Sequence, residues 1–177
     1  MPSVSERQRR FMGADEAAYF AGLLDGEGYF GLCRKDKPSR GKHYVRYETF
    51  IVLTMTSKEF LEAMALMVPW GGGTVGRNAR TQVGRAKPAW RVKWSGTAAT
   101  EVCRAILPYI RLKRRHTELL LALATAKAVA QPERSGRGRA YPIWIVQMQD
   151  EMAAEFKRLN HRGVGGEVSA SKERASA

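Results

Sequence analysis

Residues 17–28, with the sequence AAYFAGLLDGEG, decide the fold that we predict for this chain. Small residues stand where most surface helices carry Lys or Glu, and Gly26 and Gly28 then end the helix. A strand-like pattern follows, which places Glu27 at a helix-to-strand junction. Because the C-terminus of a helix carries partial negative charge, a carboxylate there is unfavourable unless a cation compensates it. The stretch therefore indicates a metal site or, as the plainer alternative, an ordinary helix end followed by a turn.

Composition points to a globular protein with a polyanionic partner. The chain has 177 residues, 44% of them hydrophobic, which suits one domain with a core. Its net charge is +13, from 30 Lys and Arg against 17 Asp and Glu, which favours nucleic acid as partner over the alternative of a merely basic soluble protein.

Two features that the sequence lacks, a membrane-spanning run and a signal peptide, bear on where the protein works in the cell. The chain contains no run of about 18 apolar residues, so we expect no membrane partner. Residues 1–10 lack the apolar core of a signal peptide. We expect a protein that is not secreted and that works in the cytoplasm or nucleoid of a bacterium or phage-infected cell, or in an organelle matrix.

Cysteine and histidine spacing argues against two other kinds of site. The two cysteines, Cys33 and Cys103, have no CxxC spacing, which favours free thiols in a reducing compartment over a disulfide framework. The three histidines are far apart and match no zinc-ligand spacing.

The periodicity of apolar residues predicts helix, hairpin, helix, hairpin and helix, followed by C-terminal helices. The expected helices span about 14–26, 58–68, 98–107, a segment from 111 to 130, and 143–159; the strands span about 29–37, 43–55, 74–80 and 89–95. Both hairpins place apolar residues on one face and Lys or Arg on the other. A two-stranded ribbon with such a basic face fits the major groove of DNA.

At this point two segments resemble a known family. Residues 19–28, YFAGLLDGEG, resemble the motif of the LAGLIDADG homing endonucleases, and residues 107–115, LPYIRLKRR, resemble the matching segment of its single-motif, homodimeric branch. The resemblance covers residues 14–160 and implies an α+β fold. That fold is the αββαββα core with a four-stranded antiparallel, saddle-shaped sheet and, here, extra C-terminal helices.

The sequence also divides the chain into three parts. Arg7, Arg9 and Arg10 indicate a basic N-terminal arm at residues 1–12, and the polar, Gly-, Ser- and Ala-rich residues 163–177 indicate a disordered tail. The resemblance implies an endonuclease domain at 13–162 between them.

The resemblance implies cleavage of double-stranded DNA at a long pseudo-palindromic site, as in intron homing. The second acid of the motif, Glu27, would be a catalytic metal ligand together with the carbonyl of Gly26, whereas Asp25 would serve local structure. One carboxylate and one carbonyl, completed by water and phosphate, suit Mg²⁺, and Mn²⁺ or Ca²⁺ could occupy the same site. Such ions activate water and stabilise a leaving oxygen.

The sequence contains a single copy of the motif, so the resemblance implies a homodimer with two Glu27 side chains at its two-fold axis. Ala18, Ala21 and Gly22 are small and spaced i, i+3, i+4, so two helices could cross closely there as the dimer interface. The alternative is that these small residues pack inside one subunit.

Two lysines match basic residues of the family's active site. Lys113 would stabilise the charge of the reacting phosphate, with a plain phosphate contact as the alternative. Lys58 would supply the charge of a neighbouring basic residue. Where relatives often carry a Gln that organises water, this chain has Met55, which cannot make those hydrogen bonds.

Charged residues of the outward strand faces are the candidates for reading bases, although some would contact phosphates instead. These are Lys35, Lys37, Arg46, Glu48, Arg77, Arg80, Arg91 and Lys93. Three further residues, Arg111, Arg114 and Arg115, are expected to contact the DNA backbone.

Two other functions stay open. The first is a nucleic-acid binder that does not cleave, such as a maturase for intron RNA or a repressor on the same scaffold. The second, a basic ribosome-associated protein, leaves the acid at Glu27 without a purpose.

Overall fold

A computed structural model describes residues 12–39, 42–68, 73–78, 88–130 and 141–161. Within these residues the chain forms five helices and four strands. They are α1 (Ala14–Glu27), β1 (Gly28–Ser39), β2 (Lys42–Met55), α2 (Lys58–Met67), β3 (Thr74–Arg77), β4 (Trp90–Ser95), α3 (Thr97–Ile106), α4 (Arg114–Val129) and α5 (Ile143–His161). This order confirms the predicted α+β fold, an αββαββα core with extra C-terminal helices. Apart from Met12, the predicted arm lies outside the described residues, as does the tail at 163–177.

The four strands form one antiparallel sheet in the order β1-β2-β4-β3. Gly28 pairs with Leu53 across β1 and β2, and Leu53 pairs with Val92 across β2 and β4. The two hairpins therefore lie side by side, with β2 and β4 in the centre.

The sheet has two different faces. One, which we call the covered face, carries Phe30, Ile51, Leu53, Val92 and Trp94, none more than 1% exposed. Helices α1, α2 and α3 pack over it, and the ring of Trp94 meets Phe20 of α1 edge-on, with centroids 5.2 Å apart. The other, the open face, carries the alternate residues: Tyr29, Gly31, Cys33, Glu48, Phe50, Val52, Thr54, Arg91 and Lys93. This division confirms the predicted alternation.

Helix α1 begins and ends as its sequence predicts. The carboxylate of Glu16 in the first turn accepts a hydrogen bond from the backbone N–H of Gly13 at 3.0 Å. At the other end β1 starts so close to the helix that a Cβ on Gly28 would lie 2.6 Å from the carbonyl oxygen of Leu24. Only glycine allows this approach, which fixes where the strand leaves the helix.

The next two helices begin in different ways. Ser57 accepts a hydrogen bond from the N–H of Phe60 at 3.2 Å, which makes it the N-cap of α2. The N-cap of α3 is a glycine and makes no side-chain hydrogen bond. Gly96 precedes the helix with φ 58°, a conformation that glycine adopts without strain.

Helices α4 and α5 pack against each other, and α5 lies along β1. At their junction the buried imidazole of His116 lies between the rings of Phe30 and Phe156, with centroid distances of 6.0 and 5.7 Å. Its Nε2 is 3.2 Å from Oδ1 of Asn160. No helix in the described part of the chain is long and apolar enough to cross a membrane.

Candidate active site and nucleic-acid interface

Asp25, on the last turn of α1, is occupied by contacts within the chain. Its two carboxylate oxygens accept hydrogen bonds from the backbone N–H of Arg111 at 2.7 Å and of Lys113 at 2.9 Å. The residue therefore ties the turn between α3 and α4 to the end of α1. This geometry fits the structural role expected for Asp25, because neither oxygen is left without a partner.

The side chain of Lys113 lies at the C-terminus of the same helix. Its Nζ donates to the carbonyl oxygens of Leu24 at 2.9 Å and Gly28 at 2.6 Å, and lies 3.4 Å from that of Gly26. Burial lowers the pKa of Lys113, and the charges of Asp25 and Glu27 oppose that shift. A cation that compensates the negative end of α1 is thus present inside the chain.

Glu27 contrasts with Asp25 although only one residue separates them. It is the last residue of α1, and its side chain is exposed. Because Gly28 pairs with Leu53, the C-terminal end of β2, which carries Thr54 and Met55, lies beside the start of β1 and so near Glu27. Glu27 therefore stands where the helix meets the open face.

The donor groups at this point fit one kind of metal site and not another. Among the described residues no three His, Cys, Asp or Glu side chains come together as a metal-binding group. The exposed carboxylate of Glu27 and the carbonyl of Gly26 provide oxygen donors, which is the set that Mg²⁺ uses when water and phosphate complete its shell. The residues fit an ion shared with a substrate rather than a closed structural metal centre.

The structure does not bring Lys58 into contact with Glu27. The ammonium of Lys58, at the start of α2, lies 2.8 Å from Oε1 of Glu62 and 5.4 Å from the ring centroid of Trp90. The hydrogen bond to Glu62 raises the pKa of Lys58. Met55, the residue found in place of a Gln, is partly buried and pairs with Trp90 across β2 and β4.

Several predicted base-reading residues lie on the open face. Arg91 is exposed there, on β4. Arg77 departs from the prediction: it is exposed on β3, but it pairs with Trp90 and so lies on the side of the covered face, as does Val75 opposite Val92. Lys93 lies 3.8 Å from Oε1 of Glu48 and 4.8 Å from the ring centroid of Phe50, so the two predicted readers Lys93 and Glu48 interact with each other.

Other predicted readers are less fully described. Lys35 pairs with Arg46 in the register of β1 and β2, and Lys37 pairs with Tyr44. The side chains of Lys35, Lys37 and Arg46 and the whole of Arg80 lie outside the described part of the chain.

The arginines after α3 separate into two groups. Arg111 is exposed beside Asp25. Arg114 pairs with Glu118 at 3.1 Å, and Arg115 binds both carboxylate oxygens of Glu155 at 2.7 and 3.2 Å. Arg115 thus links α4 to α5, a role that the sequence did not predict.

The small residues of α1 lie on two faces. Ala14, Ala18, Gly22 and Gly26 are exposed at four-residue intervals and form what we call the exposed ridge. Ala21 departs from the prediction: it is 0% exposed and lies in the core of this chain, so it cannot contact a second copy. The reason is helical geometry, because Ala21 follows Ala17 by one turn and shares its buried side with Phe20 and Leu24.

An aromatic feature of the open face was missed from the sequence. Phe50 lies over Gly31, where a Cβ would come within 2.3 Å of its Cζ, and its ring centroid is 5.9 Å from that of Tyr29. A glycine inside a strand often marks such a close approach, so Gly31 was the available signal.

Comparison with known proteins gives matches in structure but not in sequence. The sequence matches no protein-family model and no curated protein. The structure is similar to the homing endonuclease I-CvuI in complex with its target in the presence of Ca, at 16% identity over 82% of each chain with a TM-score of 0.62. It is similar to the archaeal intron-encoded homing endonuclease I-Vdi141I complexed with DNA, at 16% identity over 87% of this chain and 89% of that one with a TM-score of 0.63.

A third similar structure carries the motif's name. The LAGLIDADG homing endonuclease I-GzeII in complex with its DNA target is 15% identical over 78% of this chain and 43% of that chain, with a TM-score of 0.56. This chain therefore has the fold of the LAGLIDADG homing endonucleases.

Proposed function

We propose that the chain is a sequence-specific DNA endonuclease that uses a divalent cation to hydrolyse phosphodiester bonds. It acts as a homodimer on a long pseudo-palindromic DNA site, as intron homing requires, and residues 13–162 carry the activity. The observation that carries the proposal is the exposed carboxylate of Glu27 at the end of α1, next to the basic open face, in a fold shared with homing endonucleases.

Glu27 and the carbonyl of Gly26 would hold the cation, with Mg²⁺ as the working ion and Mn²⁺ or Ca²⁺ as substitutes. When bound, the ion supplies activation of water and stabilisation of the leaving oxygen. Asp25 contributes indirectly, since its two hydrogen bonds hold the turn of Arg111 and Lys113 beside the site.

The open face is the surface that would receive DNA. Arg91 is exposed there, and an Arg side chain can bind a guanine edge with two hydrogen bonds. Lys93 and Glu48 would have to part from each other before either reads a base. The exposed Arg111 is placed for a phosphate contact beside the cation site.

The exposed ridge of α1 supports the homodimer. Rows of residues at i and i+4 are the ridges by which helices pack at a close crossing, and small residues permit a short distance between the axes. Apart from the adjoining backbone of α1 itself, no atom of the described residues lies within 4 Å of a Cβ built on Gly22 or Gly26. Leu112, 81% exposed between the two residues that bind Asp25, adds apolar surface beside the ridge. A two-fold contact along this ridge would bring two Glu27 side chains together.

A second function, binding without cleavage to DNA or intron RNA, is favoured by two observations. Met55 cannot organise water as a Gln would. The ammonium of Lys58 is engaged by Glu62 and Trp90, away from Glu27.

The test is cleavage of a plasmid library with randomised inserts in the presence of Mg²⁺. We expect the wild-type chain to linearise a subset of the library, and Glu27→Gln to lose cleavage by on the order of a thousandfold or more. Glu151→Gln, an exposed acid on α5, is the matched control and should cleave like the wild type.

Three results would change the proposal. Full cleavage by Glu27→Gln would reject the cation role of this residue. Specific DNA binding without wild-type cleavage would favour the second function. A monomer on DNA in gel filtration would contradict the homodimer.

A further inference from the structure

The ammonium of Lys113 makes hydrogen bonds to several backbone carbonyls where α1 ends and β1 begins. It has three hydrogens to donate, and three backbone carbonyls, those of Leu24, Gly26 and Gly28, lie within 3.4 Å of its Nζ. The carbonyls of the last helical turn lack partners within the helix. That of Leu24 accepts from the N–H of Gly28, and Lys113 adds a charged donor to it, to Gly26 and to Gly28, the first residue of β1.

The backbone of Lys113 is held as firmly as its side chain. Its N–H donates to Asp25 at 2.9 Å, and its carbonyl accepts from the N–H and the hydroxyl of Thr117, both at 3.1 Å. Lys113 is half-buried. The cation is therefore a fixed part of the helix end and not a mobile surface charge.

We propose that Lys113 is a positioning residue that competes with the divalent cation for the carbonyl of Gly26. The inference rests on the proposed function, because Gly26 and Glu27 are the groups that would hold the ion. Of the three contacts of the ammonium, the one to Gly26 is the longest at 3.4 Å, whereas those to Gly28 and Leu24 are 2.6 and 2.9 Å. Gly26 is thus the acceptor that Lys113 gives up most easily while the other two keep it in place.

The competition has a consequence for when the ion binds. A divalent cation beside a fixed ammonium is repelled by it, and this repulsion is larger where both are partly removed from water. A DNA phosphate brought to the open face adds negative charge that offsets the repulsion. Lys113 therefore makes the chain bind its cation weakly alone and more tightly together with DNA.

Binding of Mn²⁺ alone, followed by the electron paramagnetic resonance signal of the free ion, tests this without DNA. We expect Lys113→Met to bind Mn²⁺ about tenfold more tightly than the wild type, because the competing charge is gone. Arg111→Met is the matched control: it removes a neighbouring charge that does not touch Gly26, and its gain should be clearly smaller. Adding Glu27→Gln to Lys113→Met should abolish the gain.

Thermal unfolding separates competition from a purely structural role. We expect the metal-free Lys113→Met protein to melt at a lower temperature, because the carbonyls of Leu24, Gly26 and Gly28 lose their contacts with the ammonium. We also expect Mn²⁺ to raise its Tm more than that of the wild type. A purely structural role predicts that the variant loses Mn²⁺ affinity together with stability. Lys113→Gln keeps a hydrogen-bond donor without the charge, and the same measurements are made on it if Lys113→Met does not fold.

The outcomes distinguish the inference from the function on which it rests. If folded Lys113→Met or Lys113→Gln binds Mn²⁺ no more tightly than the wild type while the wild type cleaves DNA, the competition is overturned and the endonuclease stands. If none of the proteins binds Mn²⁺ and the wild type does not cleave, both are overturned.

Discussion

The covered and open faces of the sheet are made by the same strands but hold their side chains in different ways. On the covered face Phe30, Ile51 and Trp94 are at most 1% exposed under the helices. On the open face Lys93 touches both Glu48 and Phe50, and these side chains remain partly exposed. The first arrangement fixes the fold through packing, whereas the second leaves a polar surface that a ligand can rearrange. Stability should therefore depend on the covered face, and the proposed recognition of DNA on the open face.

The largest expected difference comes from removing one aromatic side chain from each face. Trp94→Ala should lower the free energy of unfolding by about 3–5 kcal/mol, because it leaves a large cavity beside Phe20. Tyr29→Ala, whose ring is 50% exposed, should cost less than about 1 kcal/mol. Urea unfolding measures both. Losses of equal size would break the distinction between the faces.

Gly28 and Gly31 of β1 face opposite sides of the sheet, so a Gly→Ala substitution at each compares the covered face with the open face. An Ala at position 28 would press on the backbone of Leu24 in α1, and we expect Gly28→Ala to cost about 2 kcal/mol. An Ala at position 31 would meet only the end of the Phe50 ring, which can tilt away, so Gly31→Ala should cost less than about 1 kcal/mol. Chemical denaturation of the two variants checks the order. A larger loss for Gly31→Ala would show that the open face is as rigid as the covered one.

The pH dependence of stability tests whether His116, which packs on Phe30 of the covered face, titrates differently in the folded and unfolded chain. Burial lowers the pKa of His116, and the nearby charge of Lys113 acts in the same direction, while the hydrogen bond with Asn160 opposes them. Below the unfolded pKa of about 6.5 the unfolded chain binds a proton that the folded chain does not. This contribution to stability is present above that pH and is lost as the pH falls through the folded pKa.

We therefore expect wild type to lose more stability than His116→Gln between pH 7.5 and pH 5, as measured by urea unfolding at each pH. Parallel losses in the two proteins would mean that His116 does not titrate differently on folding.

The smallest expected effect on stability is that of the ion pair on the open face. Glu48 and Lys93 are partly exposed and 3.8 Å apart, and such pairs contribute about 0.2–1 kcal/mol. A double-mutant cycle with Glu48→Gln and Lys93→Met should give a coupling energy in that range that shrinks in high salt. A larger coupling energy, or one that salt leaves unchanged, would show that this pair is as rigidly held as the buried side chains of the covered face.

Much of the fold could be predicted because its signals are local. Trp90, Val92 and Trp94 alternate with Arg91 and Lys93, which is enough to assign a strand and its two faces. Ala21 shows the limit of such patterns. Its spacing from Ala18 fits an exposed row of small residues, but its spacing from Ala17 fits the core equally well, and only the packing decides.

The candidate site could be predicted only where its signals are local in the sequence. The helix end at Gly26–Gly28 is a local signal, and it placed Glu27 at the junction with the sheet. The contacts of Asp25 and Lys113 join positions more than 80 residues apart in the chain, so no local pattern contains them. For Lys58 and Lys93 only the sign of the charge could be predicted from the sequence, because the ion-pair partner depends on which acid the fold brings near.

The central claim is that Asp25 serves the fold and Glu27 serves the reaction. Measuring Mg²⁺-dependent cleavage and urea unfolding for both Asp25→Asn and Glu27→Gln tests it directly. We expect Glu27→Gln to lose cleavage while its free energy of unfolding stays within about 0.5 kcal/mol of the wild type. Asp25→Asn should lose about 2 kcal/mol of stability, because it weakens two hydrogen bonds to a charged group. Cleavage at the wild-type rate by Glu27→Gln would contradict the account.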